Sequence, residues 1–126
     1  VRTEERHRDV VRAFRSVLGE GRTLWTTSYV VVETTALLQH RIGLAPVRDL
    51  MEHVLPVASV EYVSDALHRR AVDRLFREDR RRLSLVDCVS FEFMSEHGLR
   101  DALTLDEQFE DAGFRVLPPA SRARRT

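Results

Sequence analysis

Apolar residues recur in this chain with two periods, and the periods alternate. From His7 to Leu18, the residues Val10, Val11, Phe14, Val17 and Leu18 return at three- and four-residue spacing. That spacing predicts a helix, which Gly19 and Gly21 stop. Arg22 to Thr26 reads as a short strand, with Thr27-Ser28 capping a helix from about Tyr29 to Arg41 and Gly43 ending it. Pro46 suits the first turn of a further helix that carries Val47, Leu50, Met51 and Val54 inward until Pro56. Val57 to Val63 is rich in β-formers and predicts a second strand. Ser64 then caps a helix to about Glu78, with Ala66, Leu67, Ala71, Val72, Leu75 and Phe76 on one face. Beyond a basic loop, Arg80-Arg81-Arg82, Ser84 opens a helix that closes at Gly98. Asp101 to Thr104 reads as a strand, Glu107 to Ala112 as a short helix, and Phe114 to Leu117 as a last strand before Pro118-Pro119.

Short strands alternating with helices predict an α/β fold with a mainly parallel sheet. The 126 residues fit one domain, expected over 1–119, and the Arg-rich tail 120–126 is expected to be disordered. A chain 43% hydrophobic and 32% charged has the balance of a water-soluble globule, and no apolar run approaches the length of a membrane span. Twenty basic and 20 acidic residues cancel, which argues against a nonspecific polyanion binder and leaves local basic patches possible. Every basic residue is arginine, which we read first as base-composition bias. Cys88 is the sole cysteine, so no internal disulfide forms; a reducing, cytoplasmic setting is expected.

Three carboxylates stand in apolar surroundings. Asp87 lies in Ser84-Leu85-Val86-Asp87-Cys88-Val89-Ser90-Phe91, Asp106 in Leu103-Thr104-Leu105-Asp106-Glu107-Gln108-Phe109, and Glu33 after Val30-Val31-Val32. Burying an unpaired charge is costly, so each needs a partner. Taken singly, each has a structural explanation. Asp87 fits a capping box with Ser84, Asp106 can cap the short helix, and Glu33 can pair with an arginine. Taken together they point to a shared cation. Each acid follows a strand or starts a helix, and sites in open parallel sheets lie at the carboxyl ends of strands. Oxygen ligands without histidine or cysteine suit Mg²⁺ or Mn²⁺ and not zinc. Thr104, two residues before Asp106, could orient a carboxylate or a water, or be a plain strand residue.

The order and spacing of these pieces resemble the PIN-domain family, most closely its VapC-like toxins. The resemblance rests on Thr26-Thr27-Ser28 through Glu33, on Leu83 to Asp87 with Ser90-Phe91, and on Ala102 to Asp106 with Phe109 and Gly113-Phe114. Arg6-His7-Arg8-Asp9 with Val10 and Ala13 looks like the family's first helix. The resemblance implies a three-layer α/β/α sandwich and a Mg²⁺- or Mn²⁺-dependent endoribonuclease, the toxin of a toxin–antitoxin pair. It implies Glu33, Asp87 and Asp106 as catalytic metal ligands, an RNA substrate, an antitoxin covering the acidic pocket, and a homodimer.

One family feature has no counterpart here. The family carries a further aspartate on a central first strand, and Asp9 is no substitute because it lies in a helical pattern. We expect a natural N-terminal segment to carry that strand. The alternative is a degenerate, catalytically weak or inactive module that binds a partner. A DNA-acting nuclease of the same fold is a third reading.

Other residues have plain readings. Arginines 69, 70, 74, 77, 80, 81 and 82 are either a solvated face balanced by Asp65, Asp73, Glu78 and Asp79, or contacts for RNA phosphates or a partner's acids. His7, His40, His53, His68 and His97 show no ligand spacing. Cys88 and Trp25 are expected in the core, although the indole could serve a dimer interface.

Overall fold

The computed structural model describes residues 12–104 and 106–118. The chain divides into two compact units, Thr23–Phe93 and a second that joins Val1–Arg22 to Met94–Thr126. The expected disordered tail and the family-like start at Arg6 to Asp9 lie outside the described residues.

The first unit opens with β1 (Leu24–Thr27), which pairs in parallel with β2 (Ala58–Glu61) from Leu24 opposite Ala58 to Thr27 opposite Glu61. Parallel neighbours need a long crossover. Here it is α2 (Ser28–Arg41), α3 (Leu44–Asp49), a π-turn over Leu50–Val54 and a 3₁₀ turn over Leu55–Val57. The strand-to-helix switch at Thr27 is local chemistry. Its backbone is still extended, and its hydroxyl accepts from the Val30 N–H at 3.3 Å, satisfying one of the donors a helix start leaves open. Ser28 Oγ accepts from the Val63 N–H at 3.0 Å, which ties the start of α2 to the chain leaving β2. The single helix expected from Pro46 to Pro56 is instead broken three ways. The Leu55 N–H reaches back to the Leu50 carbonyl, and Pro56 has no N–H to continue the ladder.

Ser64 caps α4 (Asp65–Glu78) by accepting from the Leu67 N–H at 3.1 Å, and left-handed Asp79 (φ 49°) ends it. A turn closed by the Leu83 N–H on the Arg80 carbonyl at 3.1 Å leads into α5 (Leu85–Glu96). The core is concentrated here. Leu67 and Ala71 of α4, Leu83 of the turn, and Cys88, Val89, Phe91 and Phe93 of α5 are all buried.

Burial departs from the sequence pattern at several places. No residue of α2 is buried, and Val32 is 67% exposed although the valine run was expected inside. An apolar run has no polar side to say which way it faces, and a two-stranded sheet covers little of a 14-residue helix. Met51, Ala66 and Phe76, all expected to face inward, are exposed. Trp25 is not a core residue either. It is exposed on one side and leans on Phe93 with ring centroids 5.7 Å apart.

In the second unit, α1 covers 12–19 among the described residues. Gly21 turns the chain with φ 74°, a conformation that glycine adopts without a steric penalty. β3 (Asp101–Leu103) pairs in parallel with β4 (Arg115–Leu117), and α6 (Gln108–Asp111) lies between them in the chain. Ala102 and Val116, opposite each other in that register, are buried. Asp101 and Arg115 are opposite as well. The Asp101 carboxylate accepts from Arg115 Nε at 3.0 Å and Nη2 at 2.9 Å, and from Arg22 Nη2 at 2.6 Å. These bonds, first from Arg115 and then from Arg22, hold the Asp101 carboxyl below the usual aspartate range. Sequence reasoning missed this triad because Asp101 meets Arg115 through strand register and Arg22 across 79 residues of chain.

Candidate active site

Asp87 sits in the first turn of α5, and the capping expectation for it is met in full. Its N–H donates to Ser84 Oγ at 3.0 Å, and its Oδ2 accepts from the Ser84 N–H at 3.1 Å. This reciprocal pair is a capping box, and it fixes the carboxylate at the positive end of the helix. A capping role does not compete with a ligand role, since a carboxylate offers two oxygens and about four lone-pair directions.

Asp106 is fixed in a similar way. Its N–H donates to Thr104 Oγ1 at 3.0 Å, and its Oδ1 accepts from the Gln108 N–H at 2.9 Å. Thr104 also donates its own N–H to the Leu117 carbonyl at 3.0 Å, so the turn is anchored on the end of β4. The Thr104 hydroxyl thus holds the Asp106 backbone N–H and not its carboxylate.

Glu33 is different. It is exposed on α2, not buried as the valine run implied. Among the described residues it makes no ion pair and no side-chain hydrogen bond, so the arginine pairing expected for it is not formed.

Glu33 and Asp87 belong to the first unit and Asp106 to the second. Among the described residues no group of three or more histidine, cysteine, aspartate or glutamate side chains is gathered closely enough to hold a metal. The donor types nevertheless suit a hard divalent cation, because each of the three acids supplies oxygen and no soft ligand accompanies them.

The arginines of α4 are largely engaged. Arg74 donates to Glu78 at 2.9 Å and to Glu92 at 3.1 Å, and its guanidinium lies 4.9 Å from the centre of the Phe91 ring. Its hydrogen bond holds the Glu78 carboxyl low. Arg80 pairs with Glu78, Arg69 with Asp65, and Arg70 with Glu92. Arg69, Arg74 and Arg80 thus pair with acids that the balanced-face reading names. Cys88 is buried beside Asp87, and desolvation pushes its thiol up, which suits a small core residue and not a nucleophile. His68 shares a 2.6 Å hydrogen bond between its Nδ1 and the Tyr29 hydroxyl, a structural contact between α4 and α2.

The PIN domain family model matches residues 1–115, which contain all three acids and both of their caps. The chain belongs to the PIN domain family. Among its PIN relatives, the 23S rRNA-specific endonuclease VapC20 of Mycobacterium tuberculosis, found in two strains, is 34% identical over 110 residues. That match takes in 80% of this chain and 84% of the relative. A crystal structure of Mycobacterium tuberculosis VapC20, described as a sarcin-ricin loop cleaving toxin, superposes with a TM-score of 0.66 at 35% identity. It covers 73% of this chain and 72% of that one. The α/β PIN fold with parallel strands is therefore established, and this PIN protein is related to a ribosomal-RNA-cleaving toxin. No described helix is long and apolar enough to cross a membrane.

Proposed function

We propose that this PIN-domain protein is a Mg²⁺- or Mn²⁺-dependent endoribonuclease, the toxin of a toxin–antitoxin pair, working in the cytoplasm. The observation that carries the reading is the similarity to VapC20 along most of the chain. The local geometry supports it. Ser84 and the start of α5 hold the Asp87 carboxylate, Thr104 and the Gln108 N–H hold Asp106, and Glu33 is exposed on α2. In this reading Glu33, Asp87 and Asp106 hold the cation. Bound there, it supplies a water of lowered pKa and positive charge against the scissile phosphate. Exposed Val32, Leu37, Ile42 and Leu44, on and just beyond α2, support association with an antitoxin and with a second copy of the chain.

The test is incubation of the protein with ribosomal RNA in Mg²⁺, in Mn²⁺ and in EDTA, with cut sites mapped by primer extension. A discrete cut that needs the metal is expected, and DNA should be left intact. Cleavage that survives EDTA, or cleavage of DNA in preference to RNA, contradicts the reading. A second reading is a PIN-like binding module without activity. Intact RNA in every lane, with the protein folded, decides for it.

A further inference from the structure

Helix α2 is held by its first turn. A helix is fixed about its own axis by side chains that interlock with a neighbour, and no residue of α2 is buried. Two side-chain bonds take that role instead. Ser28 Oγ accepts from the Val63 N–H at 3.0 Å, and the Tyr29 hydroxyl meets His68 Nδ1 of α4 at 2.6 Å. The phenol and imidazole rings stand edge to face, with centroids 5.8 Å apart and planes at 73°. No other side chain of α2 makes a hydrogen bond or ion pair among the described residues. Ser28 and Tyr29 leave the helix about 100° apart. Their two bonds together fix where the first turn sits and how the helix is turned about its axis.

Glu33 lies four residues beyond Tyr29, one turn on along the same face. Its direction therefore follows the Tyr29 bond. With side-chain tips about 5–6 Å from the axis, a rotation of roughly 20° carries a carboxylate by about 2 Å. That is the length of a Mg²⁺–oxygen bond, about 2.0–2.1 Å, for an ion that demands near-ideal geometry.

We propose that Tyr29 and His68 form a clamp that aims Glu33 at the divalent cation. Both are positioning residues, acting through α2 and not on the ion. The inference rests on the reading of Glu33 as a metal ligand and adds what holds that ligand in place.

The test is Mn²⁺ binding to the whole protein, followed by electron paramagnetic resonance well below the melting temperature. The variants are Tyr29→Phe, His68→Leu, His68→Asn, the Tyr29→Phe/His68→Leu pair and Glu33→Gln. Tyr29→Phe keeps the ring contact and loses only the hydroxyl. It should weaken Mn²⁺ binding about tenfold, the lower end of what a lost outer-shell support costs a metal site. The lower end applies because the clamp acts one step behind the carboxylate. His68→Leu should weaken binding equally, and the double variant no further, since each single change already removes the bond. His68→Asn should restore affinity, because its Oδ1 branches from the chain where Nδ1 does and accepts the phenol proton. A contact that serves stability alone lowers the melting temperature of Tyr29→Phe and leaves Mn²⁺ affinity at wild type; that result overturns the proposal. So does a double variant whose loss is the sum of the two singles, or His68→Asn binding as weakly as His68→Leu. Glu33→Gln separates the two levels. If it binds Mn²⁺ like wild type, Glu33 is no ligand, and the metal-site assignment falls together with the clamp. If it binds weakly while Tyr29→Phe binds like wild type, only the clamp falls.

Discussion

Helices α2 and α5 look alike in sequence and differ in structure. Both are short, mostly apolar and carry one candidate acid. Helix α5 buries Cys88, Val89, Phe91, Phe93 and Met94, and its acid is locked into a capping box. Helix α2 buries nothing and exposes Val32 and Leu37, and its acid makes no ion pair among the described residues. The difference teaches that an apolar run marks a surface that something must cover, not a surface already covered within the same unit. In α5, Arg74 of α4 lies over Phe91 and Trp25 of β1 leans on Phe93.

Stability should separate the two helices most sharply. Phe91→Ala, at 0% exposure, should cost about 3–5 kcal/mol through lost burial and a cavity. Val32→Ala, at 67% exposure, should change unfolding free energy by no more than about 0.5 kcal/mol. Urea unfolding of both variants decides it, and a large loss at Val32 would mean that α2 is part of the core. Ser84→Ala should cost about 1 kcal/mol, because α5 loses a side-chain cap. Glu33→Gln should leave stability within about 0.5 kcal/mol, as an exposed carboxylate implies, and that contrast with Ser84 is measurable in the same unfolding series.

Acid should act on the other unit. Arg115 and Arg22 hold the folded Asp101 carboxyl low, so the unfolded chain takes up that proton more readily. The stabilisation is complete above the ordinary aspartate value of about 4 and is lost as pH falls through the lower folded value. Asp101→Asn should therefore lower the melting temperature at neutral pH and flatten the acid limb of the stability profile. An unchanged acid limb would show that the triad contributes nothing measurable.

The elements were legible because their signals are local. Thr27, Ser64 and Ser84 each cap the helix that the sequence places after them, and the strands at Leu24, Ala58, Asp101 and Arg115 fall within or beside the β-forming runs. Asp87 was legible both as a cap and as a candidate ligand. Burial was less legible, because Phe76 and Val32 match the apolar pattern of their helices and the pattern is blind to what packs against it. The Asp101 triad was hidden because it depends on strand register and on a contact across 79 residues of chain. Glu33, Asp87 and Asp106 are far apart along the chain, and spacing is only an indirect guide to whether side chains meet.

The central claim is that these three acids bind one kind of divalent cation together, and Mn²⁺ binding followed by electron paramagnetic resonance tests it most directly. Wild type should bind Mn²⁺, and Glu33→Gln, Asp87→Asn and Asp106→Asn should each weaken that binding while melting temperatures stay close to wild type. Asn preserves the cap at Asp87 and removes the charge, so the two roles part company in that variant. Wild-type Mn²⁺ affinity in all three variants would contradict the claim and return the acids to helix capping and an exposed surface.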